Sequence, residues 1–112
     1  MSGTKIPDGA RDGAPLLDAE GAAAMRLELH GDWRVEPEPG RLERSVTARD
    51  FAAALRLVNG IGAAAEEENH HPDLAITGYR NVSISLTTHD AGGLTVNDFV
   101  LARRFDALAE AL

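Results

Sequence analysis

An alternating segment in the second half of the chain restricts the fold more than any other feature. The apolar residues Val82, Ile84 and Leu86 alternate there with serine and threonine. Because successive side chains of a β-strand point to opposite faces, this pattern predicts a strand with one buried and one polar face. Such a strand needs neighbouring strands and an apolar layer packed against its buried side.

A first long helix is predicted after Thr47, which forms a Thr-x-x-Asp capping pattern with Asp50. Apolar and small residues follow at helical spacing, and we expect this face to pack on the sheet. Its members are Phe51, Leu55, Val58, Gly62 and Ala65. The helix should end near Asn69 or His70, because Pro72 disfavours helical geometry at the residue before it.

A second long helix is predicted at the end of the chain. Thr95 and Asp98 repeat the capping pattern, and apolar residues follow at helical spacing. These residues are Leu101, Phe105, Leu108 and Leu112. A third helix, shorter and weaker, is predicted within residues 16–29, where Gly21 should interrupt it.

Two hairpins complete the pattern. Alternating residues at 33–36 and 41–46 flank the turn signal EPEPG, and residues 74–79 precede the alternating strand. The resulting order is ββαββα with a short extra N-terminal helix. It predicts an α+β fold in which a four-stranded antiparallel sheet carries two main helices on one face. Trp33, the only tryptophan, is expected to anchor the core or rim of the first hairpin.

The domain boundary is predicted from a change in composition. Residues 1–15 are rich in Gly, Pro and Asp, and their only large apolar residues are Met1 and Ile6. Such a segment buries too little apolar surface to offset its ordering entropy, so we expect a flexible tail. Residues 16–112 then form one domain with a single core.

Overall composition excludes several classes of function. The net charge of −7 argues against nucleic acid as a direct partner, since phosphate binding requires a clustered basic surface. The absence of cysteine excludes disulfides, a thiol nucleophile and thiolate metal ligands. No apolar run reaches the roughly 18 residues of a transmembrane helix, and no signal segment is recognisable. We therefore expect a cytoplasmic protein with no membrane partner.

Three of the four histidines, His70, His71 and His89, lie within residues 66–98. The adjacent pair falls at the predicted junction of helix and strand, where both rings could face one pocket, and strand parity places His89 on the polar side. Glu66 precedes His70 by one helical turn, so its carboxylate could reach that imidazole. A carboxylate and a helix C-terminus both favour imidazolium, which suits His70 to act as a general acid.

Each of these residues also has a structural interpretation. Residues 66–68 are all glutamate and could form a solvated helix face, while His70 and His71 could cap the helix and His89 could stabilise a turn. Asp98 is explained as the capping residue of the last helix. For each residue alone the structural interpretation is favoured, and for the cluster we favour an acid/base site.

Two other chemistries are conceivable for the same cluster. Three histidines and a carboxylate could bind zinc, but the spacing lacks the His pair of H-E-x-x-H sites, and adjacent ligands rarely converge on one ion. A serine hydrolase is disfavoured because no G-x-S-x-G motif is present. We predict no metal site and no organic cofactor.

This stretch resembles the pterin-4a-carbinolamine dehydratases. The shared pattern is E-x-x-x-H-H-P, a tyrosine, V-x-I-x-L-x-T-H and G-L-T-x-x-D, and the resemblance covers residues 16–112. The matching positions are Glu66, His70, His71, Pro72, Tyr79, residues 82–89, residues 93–95 and Asp98. Residues 31–33 also resemble the start of the family's first strand. Leu74 differs, since animal members carry tryptophan there in a segment one residue shorter.

The resemblance implies dehydration of 4a-hydroxytetrahydropterin to quinonoid dihydropterin, which regenerates the pterin used by aromatic amino acid hydroxylases. Carried over by motif, His70 and His89 would be the acid/base pair and His71 would hold the pterin. Glu66 and Asp98 would orient the imidazoles. The implied partners are the pterin substrate and further copies of the chain, in a homodimer or homotetramer.

The resemblance also implies an alternative from a different class. Some proteins of this fold act as binding modules, either as a dimerisation cofactor of a homeodomain transcription factor or as an assembly chaperone for a carboxysomal carboxylase. A pure binding module has no reason to keep several imidazoles in one pocket. Because all the motif histidines are present in this chain, we favour the enzyme.

Overall fold

The computed structural model of the protein describes residues 5–112, and these form the predicted α+β architecture. The helices are α1 (Ala19–Arg26), α2 (Phe51–Glu68) and α3 (Val96–Glu110). The strands are β1 (Arg34–Glu36), β2 (Arg41–Thr47), β3 (Asp73–Thr77) and β4 (Asn81–Leu86). They form one antiparallel sheet in the order β1-β2-β4-β3. The predicted order ββαββα with an extra N-terminal helix is confirmed.

The alternation of β4 determines which side of the sheet is covered. Val82, Ile84 and Leu86 are buried in the core with Leu42 of β2, whereas Ser83 is exposed. On the buried side, α2 and α3 pack against each other and contribute Leu57, Ile61, Phe99, Leu101 and Phe105 to the same core. The strand pattern predicted from the sequence is therefore confirmed.

The start of α2 differs from the prediction. Its N-cap is Asp50, whose carboxylate accepts a hydrogen bond from the Ala53 amide at 2.8 Å. Thr47 instead ends β2, where it lies opposite Asn81 and its hydroxyl donates to the Asn81 side chain. Pairing with β4 holds Thr47 in extended geometry, so the next capping residue along the chain takes over.

The packed face of α2 was predicted only in part, since of the predicted residues Ala65 is buried and Val58 packs against the core. Its buried residues are Ala53, Ala54, Leu57, Ile61, Ala64 and Ala65. Phe51 and Leu55 of the predicted face remain 50% and 39% exposed. The helix carries apolar residues on two faces, and spacing alone does not decide between them. The buried face is rich in alanine, which allows close approach of neighbouring elements.

Residues 5–15 do not form the predicted flexible tail. Ile6 and Ala14 are buried in the core, and the Ala10 amide donates to Glu68 Oε1 at 2.8 Å. Arg11 forms two backbone hydrogen bonds with the side chain of Asn97. Side chains of α2 and α3 thus satisfy the polar backbone of this segment, which composition cannot reveal. Residues 1–4, also part of the predicted tail, lie outside the described residues.

The N-terminal helix α1 is continuous through Gly21. Asp18 is its N-cap and accepts a hydrogen bond from the Gly21 amide at 2.7 Å. Gly21 therefore lies in the first turn, where its amide needs a partner outside the helix, and the predicted interruption is wrong.

Trp33 is fully buried, and its indole N–H donates to Asp106 Oδ1 of α3 at 2.6 Å. Arg44 of β2 binds the same carboxylate oxygen, and the His30 amide binds the other. Trp33 is therefore a core anchor, as predicted, and it links the first hairpin to α3.

Within residues 5–112, no helix is long and apolar enough to span a membrane.

Candidate active site

The end of α2 determines where the adjacent histidines lie. Asn69 is the C-cap and has left-handed geometry, with φ 52° and ψ 44°. Its amide bonds back to the carbonyls of Ala65 and Glu66. The reversal takes His70 and His71 off the helix before Pro72 and β3. The prediction that α2 ends near Asn69 is confirmed.

His70 pairs with a carboxylate of α3. Its Nε2 lies 2.6 Å from Asp98 Oδ1, and the His70 side chain is 13% exposed while the Asp98 side chain is fully buried. An ionised carboxylate can only accept hydrogen bonds, so Nε2 carries the proton in this pair. The other ring nitrogen, Nδ1, has no hydrogen-bond partner within residues 5–112 and is available to exchange a proton.

Asp98 caps α3 and contacts His70 at the same time. Its Oδ2 accepts from the Thr95 amide at 2.9 Å and completes the capping box of α3. The same oxygen accepts from the Thr88 hydroxyl at 2.9 Å. Capping by Asp98 does not compete with its contact to His70, because the two use different carboxylate oxygens. The capping box predicted at Thr95 and Asp98 is confirmed.

Glu66 contacts His71 rather than His70, so the expectation that its carboxylate reaches His70 is wrong. Glu66 Oε2 lies 2.5 Å from His71 Nε2, and the two side chains are 77% and 56% exposed. The expected contact required a continuous helix, but the chain leaves helical geometry at Asn69. His71 is more exposed than His70 and pairs with Glu66 of the last helical turn.

The remaining glutamates of this run bind Arg104 of α3. Glu67 and Glu68 accept hydrogen bonds from its guanidinium at 2.7 and 3.1 Å. The hydrogen bond to Glu67 is the main cause that raises the pKa of Arg104. The run is therefore more than a solvated face, because it ties the end of α2 to α3 and, through Glu68, to the N-terminal segment.

His89 reaches the site from the end of β4, which pairs with the strand that follows His70 and His71. β4 ends at Leu86, and His89 opens a short 3₁₀ turn, His89–Ala91, where it is exposed. Here the structure brings all three predicted histidines to one cleft of about 210 Å³. The cleft is lined by His70, His71, His89, Asn69, Thr87, Thr88 and Asp90.

A second cavity, of about 460 Å³, lies on the other side of His70. The N-terminal segment forms one wall through residues 10–16, and His70, Thr88 and Asp90 line it as they line the first cleft. Neither this wall nor the role of the Thr88 hydroxyl was predicted. Thr88 is the threonine of V-x-I-x-L-x-T-H, so a signal existed for it, whereas the sequence gives none for the wall.

Two further predicted positions lie away from the histidines. Tyr79 is exposed in the turn between β3 and β4, with a φ of 59°. Leu74, in the segment that differs from animal members, is part of β3 and packs against the core. Among residues 5–112, no group of three histidines or carboxylates is arranged to hold a metal ion.

Comparison with known proteins identifies the family. The sequence model of the family described as "Pterin 4 alpha carbinolamine dehydratase" matches residues 14–108. The chain belongs to this family. A Cupriavidus pinatubonensis protein named "Putative pterin-4-alpha-carbinolamine dehydratase 1" is 41% identical over 102 residues, which cover 91% of this chain and 86% of the relative.

Two solved structures resemble the fold. A Brucella melitensis protein described as a transcriptional coactivator/pterin dehydratase superposes with a TM-score of 0.77 at 27% identity, over 83% of this chain and 97% of its own. A pterin dehydratase-like protein, identified as a RuBisCO assembly factor in the α-carboxysome, has a TM-score of 0.61 at 27% identity, over 71% and 92%. The dehydratase fold is thus found in proteins described by different functions.

Proposed function

We propose that this member of the pterin dehydratase family dehydrates 4a-hydroxytetrahydropterin to quinonoid dihydropterin. The observation that carries the proposal is the convergence of His70, His71 and His89 on one cleft, with His70 paired to the buried Asp98. Dehydration requires an acid and a base, and imidazoles can serve as either near neutral pH.

The reaction breaks the bond between the 4a-carbon and its hydroxyl oxygen, and one proton must reach that oxygen so that it leaves as water. The neighbouring N–H then loses its proton as the carbon–nitrogen double bond forms. We assign these transfers to His70, which pairs with the buried Asp98, and to His89, whose imidazole forms no hydrogen bond with another side chain within residues 5–112. A matched acid and base suffice, since atoms and charge balance without a redox step.

Asp98 orients His70 in this proposal. Its contact with Nε2 directs that proton toward the carboxylate, so that Nδ1 exchanges the proton with the substrate. His71, which is more exposed and paired with Glu66, holds the pterin rather than transferring a proton. Glu66 favours one orientation of the His71 ring, but both side chains are exposed, so the ring can still adapt to the ligand.

The alternative is a binding module without catalysis. It is favoured by the resemblance to the RuBisCO assembly factor, which has this fold at 27% identity. Such a role predicts that the cleft histidines can be replaced without loss of function. The pairing of His70 with a fully buried carboxylate supports the enzyme, because a docking surface needs no oriented imidazole.

The test measures the decay of 4a-hydroxytetrahydropterin generated in situ by a hydroxylase. We expect the wild-type protein to accelerate the decay and the double variant His70→Ala/His89→Ala to lose this acceleration. His30→Ala is the matched control, since His30 lies outside the cleft and its Nδ1 accepts from the Asp32 amide. A folded wild-type protein that gives no acceleration contradicts the proposal and favours the binding module.

We further propose that the chain forms a homo-oligomer. The support is the exposed apolar surface of α2 around Phe51 and Leu55, since large exposed apolar residues grouped on one helix are common at interfaces. Light scattering after size-exclusion chromatography should give a mass of two or four chains. The variant Phe51→Lys/Leu55→Lys should shift the mass toward one chain, and a monomeric wild-type protein contradicts the proposal.

A further inference from the structure

Thr88 has a side-chain environment that the dehydratase reaction described above does not use. Its hydroxyl oxygen lies 2.9 Å from Asp98 Oδ2 and 2.9 Å from the hydroxyl oxygen of Thr95. Thr95 and Asp98 are fully buried, and Thr88 lies at the boundary between the two cavities that flank His70. Thr88 thus contacts the partner of the imidazole and lies beside the imidazole itself.

The direction of each hydrogen bond follows from what each group can donate. Ionised Asp98 only accepts, so Thr88 gives its single proton to Oδ2. The Thr95 hydroxyl must then donate to the Thr88 oxygen, and the Thr95 oxygen accepts in turn from the Asn97 amide at 3.2 Å. The hydrogen bonds therefore run in one direction, from the first turn of α3 through both hydroxyls to the carboxylate.

We propose that Thr88 is a positioning residue for His70. The Thr88 hydroxyl and the Thr95 amide both bind Oδ2, so Oδ1 is left for the imidazole alone. Two donors on one oxygen fix the rotation of the carboxylate more tightly than one. The fixed carboxylate keeps the His70 proton on Nε2 and presents Nδ1 for proton exchange. The inference rests on the proposed dehydratase function and deepens it.

The backbone of Thr88 has a separate role, which allows its side chain to be tested alone. Its amide donates to the Gly93 carbonyl at 2.9 Å, and its carbonyl accepts from the Gly92 amide at 3.1 Å. These bonds hold the turn before α3 and do not depend on the hydroxyl. Replacement by valine keeps the branched shape at Cβ and removes only the hydrogen-bonding oxygen.

The experiment compares Thr88→Val with Thr88→Ser, which retains the hydroxyl. Thr47→Val is the matched control, because its hydroxyl binds Asn81 at the far end of β2 and β4. We expect Thr88→Val to lower kcat by at least about tenfold with little change in KM, on the scale of the loss found when a group that orients a metal-binding histidine is removed. Thr88→Ser should recover most of kcat, and Thr47→Val should match the wild type.

Imidazole nitrogen NMR supplies a readout that needs no turnover. In the wild-type protein at a pH where His70 is neutral, the ring should be the Nε2–H tautomer, and in Thr88→Val it should become a mixture of both tautomers. This measurement remains informative if the wild-type protein has no dehydratase activity, which would contradict the proposed function alone. If Thr88→Val does not fold, Thr88→Ala removes the same oxygen with less bulk.

Two outcomes overturn the inference. In the first, the hydroxyl-free variant keeps both the wild-type kcat and a single His70 tautomer, so the hydroxyl orients nothing. In the second, KM rises while kcat and the tautomer stay unchanged, which makes Thr88 a substrate contact. A tautomer mixture that serine restores to the wild-type form supports positioning through Asp98.

Discussion

Two neighbouring histidines of this chain form hydrogen bonds of nearly equal length in very different surroundings. His70 lies 2.6 Å from Asp98, and His71 lies 2.5 Å from Glu66. The side chains of the first pair are 13% and 0% exposed, and those of the second pair are 56% and 77% exposed. Donor–acceptor distance therefore does not distinguish the pairs, whereas burial and the remaining contacts of each carboxylate do.

The difference supports the proposal that the buried pair, and not the exposed pair, takes part in proton transfer. Glu66 competes with water for His71, and an exposed ion pair contributes about 0–1 kcal/mol to the free energy of unfolding. Asp98 is held by the Thr95 amide and the Thr88 hydroxyl before any substrate arrives. A group fixed in advance avoids reorganisation during the reaction, so the buried pair can direct a proton and the exposed pair can adapt to a ligand.

The largest expected effect comes from changing each carboxylate to its amide. In Asp98→Asn, an amide NH₂ group replaces one of the two carboxylate oxygens. That NH₂ group cannot accept the hydrogen bonds that the oxygen accepts in the wild-type protein. We expect the free energy of unfolding to fall by about 3 kcal/mol, because a buried carboxylate that accepts three hydrogen bonds is lost. Glu66→Gln makes the same chemical change in the exposed pair and is the matched control. Denaturant unfolding of both variants measures the difference, and equal losses would contradict the contrast between the pairs.

The second expected effect separates the histidines by kinetics. His70→Ala should lower kcat by roughly 100-fold or more, the usual contribution of a positioned acid or base. His71→Ala should mainly raise KM, since removing a binding contact leaves the chemical step intact. Steady-state turnover of 4a-hydroxytetrahydropterin distinguishes the two. If both variants lose kcat equally, His71 also takes part in the proton transfers.

The elements predicted well are those determined by local sequence. Alternation in residues 82–86 gave β4 its buried face, and Thr95 with Asp98 formed the capping box that begins α3. Both signals are local, because they depend on residues within one strand or one helical turn. The family pattern also identified the three histidines that line the cleft.

The errors arose where tertiary contacts choose between local alternatives. Thr47 and Asp50 are both good capping residues, and pairing of Thr47 with β4 decided in favour of Asp50. Composition suggested that residues 1–15 were flexible, but Glu68 and Asn97 bind the backbone of that segment from distant positions in the chain. The partner of Glu66 depended on a single left-handed residue, Asn69, which helical spacing does not reveal.

The smallest expected effect tests the exposed pair by itself. Glu66→Gln should change the free energy of unfolding by less than about 1 kcal/mol, since both groups of this pair are well solvated. The change should shrink further at high salt, because a salt concentration of about 1 M reduces the screening length to about 3 Å. Asp98→Asn, measured in the same salt series, should keep most of its loss because that carboxylate is buried. If Glu66→Gln changes the free energy of unfolding strongly and independently of salt, Glu66 and His71 are also a fixed pair. The burial contrast would then no longer support assigning proton transfer to His70 and the binding contact to His71.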